Sequence, residues 1–393
     1  MNILLINYEY PPIGGGAGNA TMFIARALQK LGHCATVLTS AYLEHRGIRN
    51  DADVSVYRLD VRRRETNRAS ALEMLSFTLT ALREAPKIAR HVKAQAVIVF
   101  FTLPCGPVAR KLHRELQLPY IVSLRGGDVP GLVPEITWQH RLLTPLRRSV
   151  LRSAQAIVAN DAGLAKLSAQ ADPFPVQVIS NGVDCEFYRP SPRIKPPTRE
   201  VPTEVLFVGR FHRQKNLPFF LEQMAQLHAA APTAWRLSLV GDGEERPVIE
   251  QWIRRLNLTS ITRCLGWQKD KAQLLELYQQ ADVVVNPSHY EGMPNVVLEA
   301  MACGLPVVAS DVPGNNSLVR PGETGFLFPV DNAQALQSAL WTIREKPALA
   351  RTLGENARKR AQKEFSWDHV AQSYLQLFRP EFETSPSISK VAK

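Results

Sequence analysis

No apolar run in this sequence approaches the ~18 residues of a membrane-spanning helix, which argues against a helical membrane protein. The opening residues, Met1-Asn2-Ile3-Leu4-Leu5-Ile6-Asn7, have neither a basic segment nor a long apolar stretch. They are expected to form a first strand rather than a secretory leader. Cysteine is scarce: Cys34, Cys105, Cys185, Cys264 and Cys303 are odd in number and lack metal-ligand spacing. Buried reduced thiols in a cytoplasmic protein are the expectation. There is no repeat of solenoid length and no RNA- or DNA-binding signature, so nucleic acid is not an expected partner. Charged residues are only 21% against 45% hydrophobic, which excludes a disordered chain.

What is present is length, positive charge and alternation. At 393 residues the chain exceeds one ordinary core. Its net charge is +11, and residues 1–190 hold 23 of the 47 Lys and Arg but 15 of the 36 Asp and Glu, so that half carries +8. Such a balance suits phosphorylated ligands or anionic lipid. Apolar β-branched runs are expected as strands near 3–7, 35–39, 54–59, 96–101, 119–124, 154–159 and 176–180. Helical patterns intervene at about 19–31, 70–92, 106–117, 135–152 and 161–170. Continuous runs such as Ala96-Val97-Ile98-Val99-Phe100-Phe101 suit a parallel sheet covered on both faces. A Pro-rich stretch around Tyr188–Pro197 interrupts the pattern. The alternation then restarts at Val205, with strands near 236–240, 283–286, 306–309 and 325–328. These features predict an α/β chain of two doubly wound units: 1–187, a linker 188–203, a second unit 204–364, a helix 365–378 and a disordered tail 379–393. The carboxyl ends of both sheets are expected to face a cleft, where open α/β sheets place ligands.

Four segments carry chemistry. Residues Asn286-Pro287-Ser288-His289-Tyr290-Glu291-Gly292-Met293-Pro294-Asn295-Val296 lead from a strand into a helix that Gly304 and Pro306 end. Free amides from Gly292 to Val296 would make a helix N-terminus suited to a diphosphate. Glu291 and Glu299 bracket that terminus, and each could accept two hydrogen bonds from a vicinal diol. By spacing alone, one capping acid and one exposed acid would account for them equally well. The second segment, Gly209-Arg210-Phe211-His212-Arg213-Gln214-Lys215-Asn216, follows a strand and projects two cations, Arg210 and Lys215. The third, Gly14-Gly15-Gly16-Ala17-Gly18-Asn19, permits close backbone approach to a ligand. It does not fit the dinucleotide fingerprint, because Asn19 or Thr21 stands where the last glycine belongs. The fourth, Leu124-Arg125-Gly126-Gly127-Asp128, ends a strand in the first unit. Three patterns carry less. Trp267 after Leu265-Gly266 reads as near-ligand or as packing. Asp51-Ala52-Asp53 reads as solvated surface. Trp138–Arg152, with Arg62-Arg63-Arg64, reads as a domain helix with a solvated basic face, the alternative being an anionic membrane surface.

Taken together these segments resemble the retaining GT-B glycosyltransferases of family 4, the glycosyl transferases group 1. Their C-terminal signature is a Glu, seven residues, a second Glu, then Ala-Met-Ala-Cys-Gly-Leu-Pro-Val-Val-Ala, as found from Glu291 to Ala309. The resemblance runs from the Gly-rich loop to Phe365-Ser366-Trp367-Asp368, which is similar to a helix that crosses back to the N-terminal domain. It implies two Rossmann-like domains, the first on the acceptor side and the second binding a nucleotide-diphosphate-sugar, a donor substrate rather than a cofactor. It implies that Glu291 contacts the donor sugar, that Glu299 binds the ribose, and that Arg210 and Lys215 bind the diphosphate without a metal. Gly15, Gly16, Gly209, Gly292, Met293, Pro294, Asn295 and Val296 complete the implied donor site. Many members have His at the place of Arg125, with Asp128 matched. Arginine cannot serve as a base, so Arg125 and Asp128 are expected to contact acceptor or sugar. The implied function is retaining transfer of a sugar to a glycan or lipid-linked acceptor, in cell-envelope polysaccharide or lipopolysaccharide synthesis, by a cytoplasmic protein peripheral on the inner membrane face. A nucleotide-sugar epimerase, a phosphorylase and a non-catalytic nucleotide-sugar binder are the competing readings.

Overall fold

The computed structural model describes residues 1–65, 69–131, 137–191 and 201–378. The chain divides into two compact units: Met1–Ser180 with the chain from Trp367 onward, and Asn181–Ser366. Residues 181–187, read from sequence with the first unit, therefore belong to the second. Most of the Pro-rich linker and the tail after Phe378 lie outside the described residues.

The first unit opens with β1 (Asn2–Ile6), α1 (Gly16–Lys30), β2 (Cys34–Ser40), β3 (Gly47–Asp51) and β4 (Val54–Leu59). It continues with α2 (Ala71–His91), β5 (Ala96–Phe100), α3 (Gly106–Leu116) and β6 (Tyr120–Leu124). Helices α4 (Thr137–Leu142) and α5 (Thr144–Arg152), strand β7 (Ala156–Ala159), α6 (Ala162–Ala171) and β8 (Gln177–Val178) complete it. The strands order as β3-β4-β2-β1-β5-β6-β7-β8, parallel except for the edge pair β3–β4. Every residue of β5 and β6 is buried, as expected of strands covered on both faces. Helices α2, α3, α5 and α6 supply one apolar layer and α1 lies in the other.

Two expectations change here. Strand β3 was not foreseen: it is a largely exposed, polar strand, and its hairpin turns through Ala52 and Asp53, both at positive φ. Asp51 is also more than solvated surface, for it accepts from the Tyr10 hydroxyl at 2.6 Å and pairs with Arg26 at 2.5 Å. The helix expected over 135–152 is two helices, because Pro145 in the first turn of α5 has no N–H to continue α4.

The second unit runs β9 (Thr203–Val208), α7 (Leu217–Ala230), β10 (Trp235–Val240), α8 (Arg246–Arg255) and β11 (Thr262–Cys264). Next come α9 (Lys271–Gln280), β12 (Val283–Asn286), α10 (Asn295–Ala302), β13 (Val307–Ser310) and α11 (Pro313–Leu318). Strand β14 (Gly325–Phe328) and helices α12 (Ala333–Glu345) and α13 (Pro347–Glu364) follow. The order β11-β10-β9-β12-β13-β14 is parallel throughout. Helices α7, α8 and α12 cover one face and α9, α10 and α13 contribute to the other. The last helix, α14 (Trp367–Gln376), returns to the first unit, where Trp367 stacks on Phe23 of α1 and Lys30 pairs with Asp368. Both units are doubly wound α/β sheets, the two-domain plan expected of a GT-B protein.

Candidate functional site

In the second unit the loops after β9 and β12 meet at a charged pair. Lys215 Nζ lies 2.5 Å from Glu291 Oε1, with side-chain exposures of 15% and 7%. Lys215 ends a short 3-10 turn, Arg213–Lys215, which His212 caps by accepting the Gln214 amide at 3.1 Å; Asn216 leaves it at φ 51°. The same turn grips the other loop, since Gln214 O accepts the His289 amide at 2.8 Å. Glu291 accepts from Ser288 Oγ at 2.7 Å and from Asn286 Nδ2 at 3.4 Å. Asn286 in turn donates to Asn315 Oδ1 at 2.9 Å, and Asn315 donates to Ser310 O at 2.9 Å. A buried polar network therefore fixes the Glu291 carboxylate from behind. Arg210 stands exposed beyond the same strand and makes no side-chain hydrogen bond or ion pair with the described residues.

Four residues beyond Glu291, α10 begins. Its N-cap is Pro294, with no side-chain cap, so the amides of Asn295 and Val296 are left for another acceptor. Gly292 and Asn295 are exposed, Met293 and Val296 half-buried and Pro294 buried. Glu299 lies one turn into the helix from Asn295. It accepts from the Tyr278 hydroxyl at 2.8 Å, and the Tyr188 hydroxyl also bonds to it. Burial pushes its carboxyl up to about 7, against the lowering effect of both tyrosines and of Lys271. Nearby, Gly209 donates its amide to Val240 O at 2.9 Å, and Gly241, at φ 145°, packs so closely on Gly209 that a methyl would overlap its carbonyl. Gly241 also donates to Gly266 O at 2.9 Å, while Trp267 is 63% exposed, so core packing does not hold that ring.

The first unit gathers the other named residues at the carboxyl ends of β1, β5 and β6. Gly15 caps α1 and Gly16 begins it; a Cβ at either position would meet open space. Asp128 is buried and ties two loops together. One oxygen takes the Thr102 amide at 2.8 Å; the other takes the Arg125 and Gly126 amides at 3.0 and 3.1 Å. Burial raises its pKa while these bonds lower it. The Arg125 guanidinium sits over the Phe100 ring at 5.0 Å and donates to the Tyr374 hydroxyl of α14 at 3.3 Å.

The structure thus brings Glu291, Lys215 and the α10 N-terminus together in one unit, and Gly15, Gly16, Arg125 and Asp128 into another loop cluster. Sequence reasoning missed Tyr278 and Tyr188, and it gave Asn286, Ser288, Ser310 and Asn315 no role. All four lie outside the Glu291–Ala309 signature, although Asn286 and Ser288 stand in the segment that leads into it.

Residues 189–360 match the model "Glycosyl transferases group 1", and residues 15–182 match "Glycosyl transferase 4-like domain". Alpha-maltose-1-phosphate synthase of Mycolicibacterium smegmatis is 28% identical over 96% of this chain and 99% of its own length. Sucrose-phosphate synthase from Thermosynechococcus elongatus superposes with a TM-score of 0.74 at 26% identity, over 96% and 98% of the two chains. Anabaena HepE, solved in complex with UDP, gives 0.70 at 22% over 96% and 99%. The two matched segments take in every strand but β1, and the chain belongs to the group 1 glycosyltransferases of GT-B fold.

Proposed function

We propose that this glycosyltransferase moves a sugar from a nucleotide-diphosphate donor with retention of anomeric configuration and without a metal ion. The observation that carries the reading is the Lys215–Glu291 pair set beside the uncapped N-terminus of α10. A diphosphate seated on the Asn295 and Val296 amides would compete with Glu291 for the Lys215 ammonium. Arg210, exposed on the same loop, supplies a second fixed cation. Glu291, released from Lys215 and still held by Ser288, would accept from hydroxyls of the donor sugar. Glu299 would accept from the ribose.

Transfer then proceeds on one face of the sugar. The acceptor oxygen bonds to the anomeric carbon as the bond to the diphosphate oxygen breaks, and the acceptor's proton passes to that departing oxygen. Lys215, Arg210 and the helix amides hold the charge that develops there. The basic first half suits an acceptor bearing phosphate or a lipid phosphate, as in assembly of envelope glycans.

A panel of nucleotide-sugars, screened by thermal shift in EDTA and then in magnesium, tests the donor site. One donor should raise the melting temperature equally in both conditions, and Glu299→Ala should abolish the rise. A rise that needs magnesium, or one that survives Glu299→Ala, contradicts the assignment.

A further inference from the structure

The Gly-rich loop between β1 and α1 is open at its tip and gripped at its base. Gly15 and Gly16 are exposed, and a Cβ on either would meet nothing. At the base, Ile13 donates its amide to Tyr10 O at 3.0 Å. Gly18, in the first turn of α1, packs so closely that a Cβ there would lie 3.1 Å from Ile13 O and 3.5 Å from Tyr10 Cα. The chain on both sides of the tip is thus folded against the Tyr10 backbone, and the Tyr10 side chain is buried.

That tyrosine is held from outside the loop, by the β3–β4 hairpin at the edge of the sheet. Its hydroxyl donates to Asp51 Oδ2 at 2.6 Å, where β3 ends. The Arg58 guanidinium of β4 lies over its ring at 5.4 Å and donates to Pro11 O at 3.0 Å. The other Asp51 oxygen takes Arg26 of α1 at 2.5 Å. Gln29, three residues further along α1, bonds to Asp53 O in the hairpin turn. One carboxylate therefore joins the residue that precedes the glycines to the helix that follows them.

Burial works to raise the Asp51 pKa, but Tyr10, Arg26 and Arg58 outweigh it and hold the carboxyl below its ordinary range. A phenylalanine facing an apolar residue would fill the same space without taking a charge out of water. What the polar link adds is direction, since a hydrogen bond fixes where the tyrosine and its backbone sit.

We propose that Asp51 is a positioning residue for sugar transfer, setting through the Tyr10 hydroxyl where the Gly-rich tip meets substrate. The proposal rests on the transfer reading, in which the donor is anchored by the second unit.

Hydrogen exchange and kinetics on the full chain test the brace and its use separately. Tyr10→Phe keeps the ring and removes the hydroxyl. Amide exchange over residues 13–19 should quicken about fivefold, as for one lost hydrogen bond, with residues 295–302 of α10 unchanged. The rate is read as nucleoside diphosphate released from UDP-glucose, ADP-glucose or GDP-mannose, whichever wild type hydrolyses. Its kcat should fall about tenfold while the donor KM stays within about twofold. Asp51→Ala should behave alike. Asp51→Asn keeps an oxygen for the Tyr10 hydroxyl and loses only the part-exposed pair with Arg26, so its kcat should return to within about twofold of wild type. Unchanged exchange in Tyr10→Phe overturns the brace. Faster exchange with unchanged kcat, or equal loss of kcat in Asp51→Ala and Asp51→Asn, overturns its use in transfer. Exchange needs no substrate, so a failure of the brace is read apart from a failure of the transfer reading.

Discussion

At the scale of single residues, Glu299 makes the sharpest demand. In the folded chain its carboxyl titrates at about 7, against 4.5 for an ordinary glutamate. Between those values the native state binds the extra proton, so stability falls as pH rises, by about 3 kcal/mol in all. Glu299→Gln removes the titration, and its unfolding free energy should be flatter than wild type between pH 5 and 8 and higher at pH 8. Denaturant unfolding at both pH values checks this, and parallel curves for the two proteins would contradict it. A diol hydrogen-bonds best to an ionised carboxylate, so donor affinity should rise with pH through 7 in wild type and not in the variant. Lys215→Ala should lower turnover by about 10²–10³. It also leaves Glu291 without its cation, so its melting temperature must be recorded beside its rate. Glu291 and Lys215 could be singled out in the sequence because each sits in a contiguous motif, and the fold brings the two together. Tyr278 and Tyr188 could not, since residues 21 and 111 positions upstream of Glu299 meet it only through folding.

At the scale of elements, the Glu291 loop is braced by the helix that packs on it. A methyl on Gly314, in the first turn of α11, would overlap the carbonyl oxygens of Gly292 and Glu291. Gly314→Ala should therefore displace the loop, cost ~1–3 kcal/mol of stability and weaken donor binding. Gly16 gives the contrast, because a Cβ there meets nothing. Gly16→Ala should keep full stability yet lose activity if that loop approaches substrate; calorimetry and rate together separate the two outcomes. The regular strands were readable because burial on both faces demands continuous β-branched runs. Strand β3 was not, since Gly47-Ile48-Arg49-Asn50-Asp51 is largely exposed and has no apolar alternation. Its turn, Ala52-Asp53, lacks the Asn-Gly type of signal that a two-residue hairpin usually shows. The split of α4 from α5 was marked by Pro145, visible in the sequence but not decisive until the second helix was seen to start at Thr144.

At the scale of the whole chain, each unit closes its own hydrophobic layers, and the change of unit at Ser180–Asn181 and again at Ser366–Trp367 falls outside any Pro-rich signal. That is why alternation revealed two α/β units while the boundary read from composition fell seven residues late. Positive charge is concentrated in the first unit, whereas the Lys215–Glu291 pair and α10 belong to the other. The division suits a protein that meets its two substrates with different surfaces. The most direct test of the transfer reading is the anomeric configuration of the product, read by proton NMR, when an α-linked nucleotide-sugar is turned over in EDTA. An α-linked product formed without metal is predicted. A β-linked product, or transfer that starts only when magnesium is added, would contradict the account.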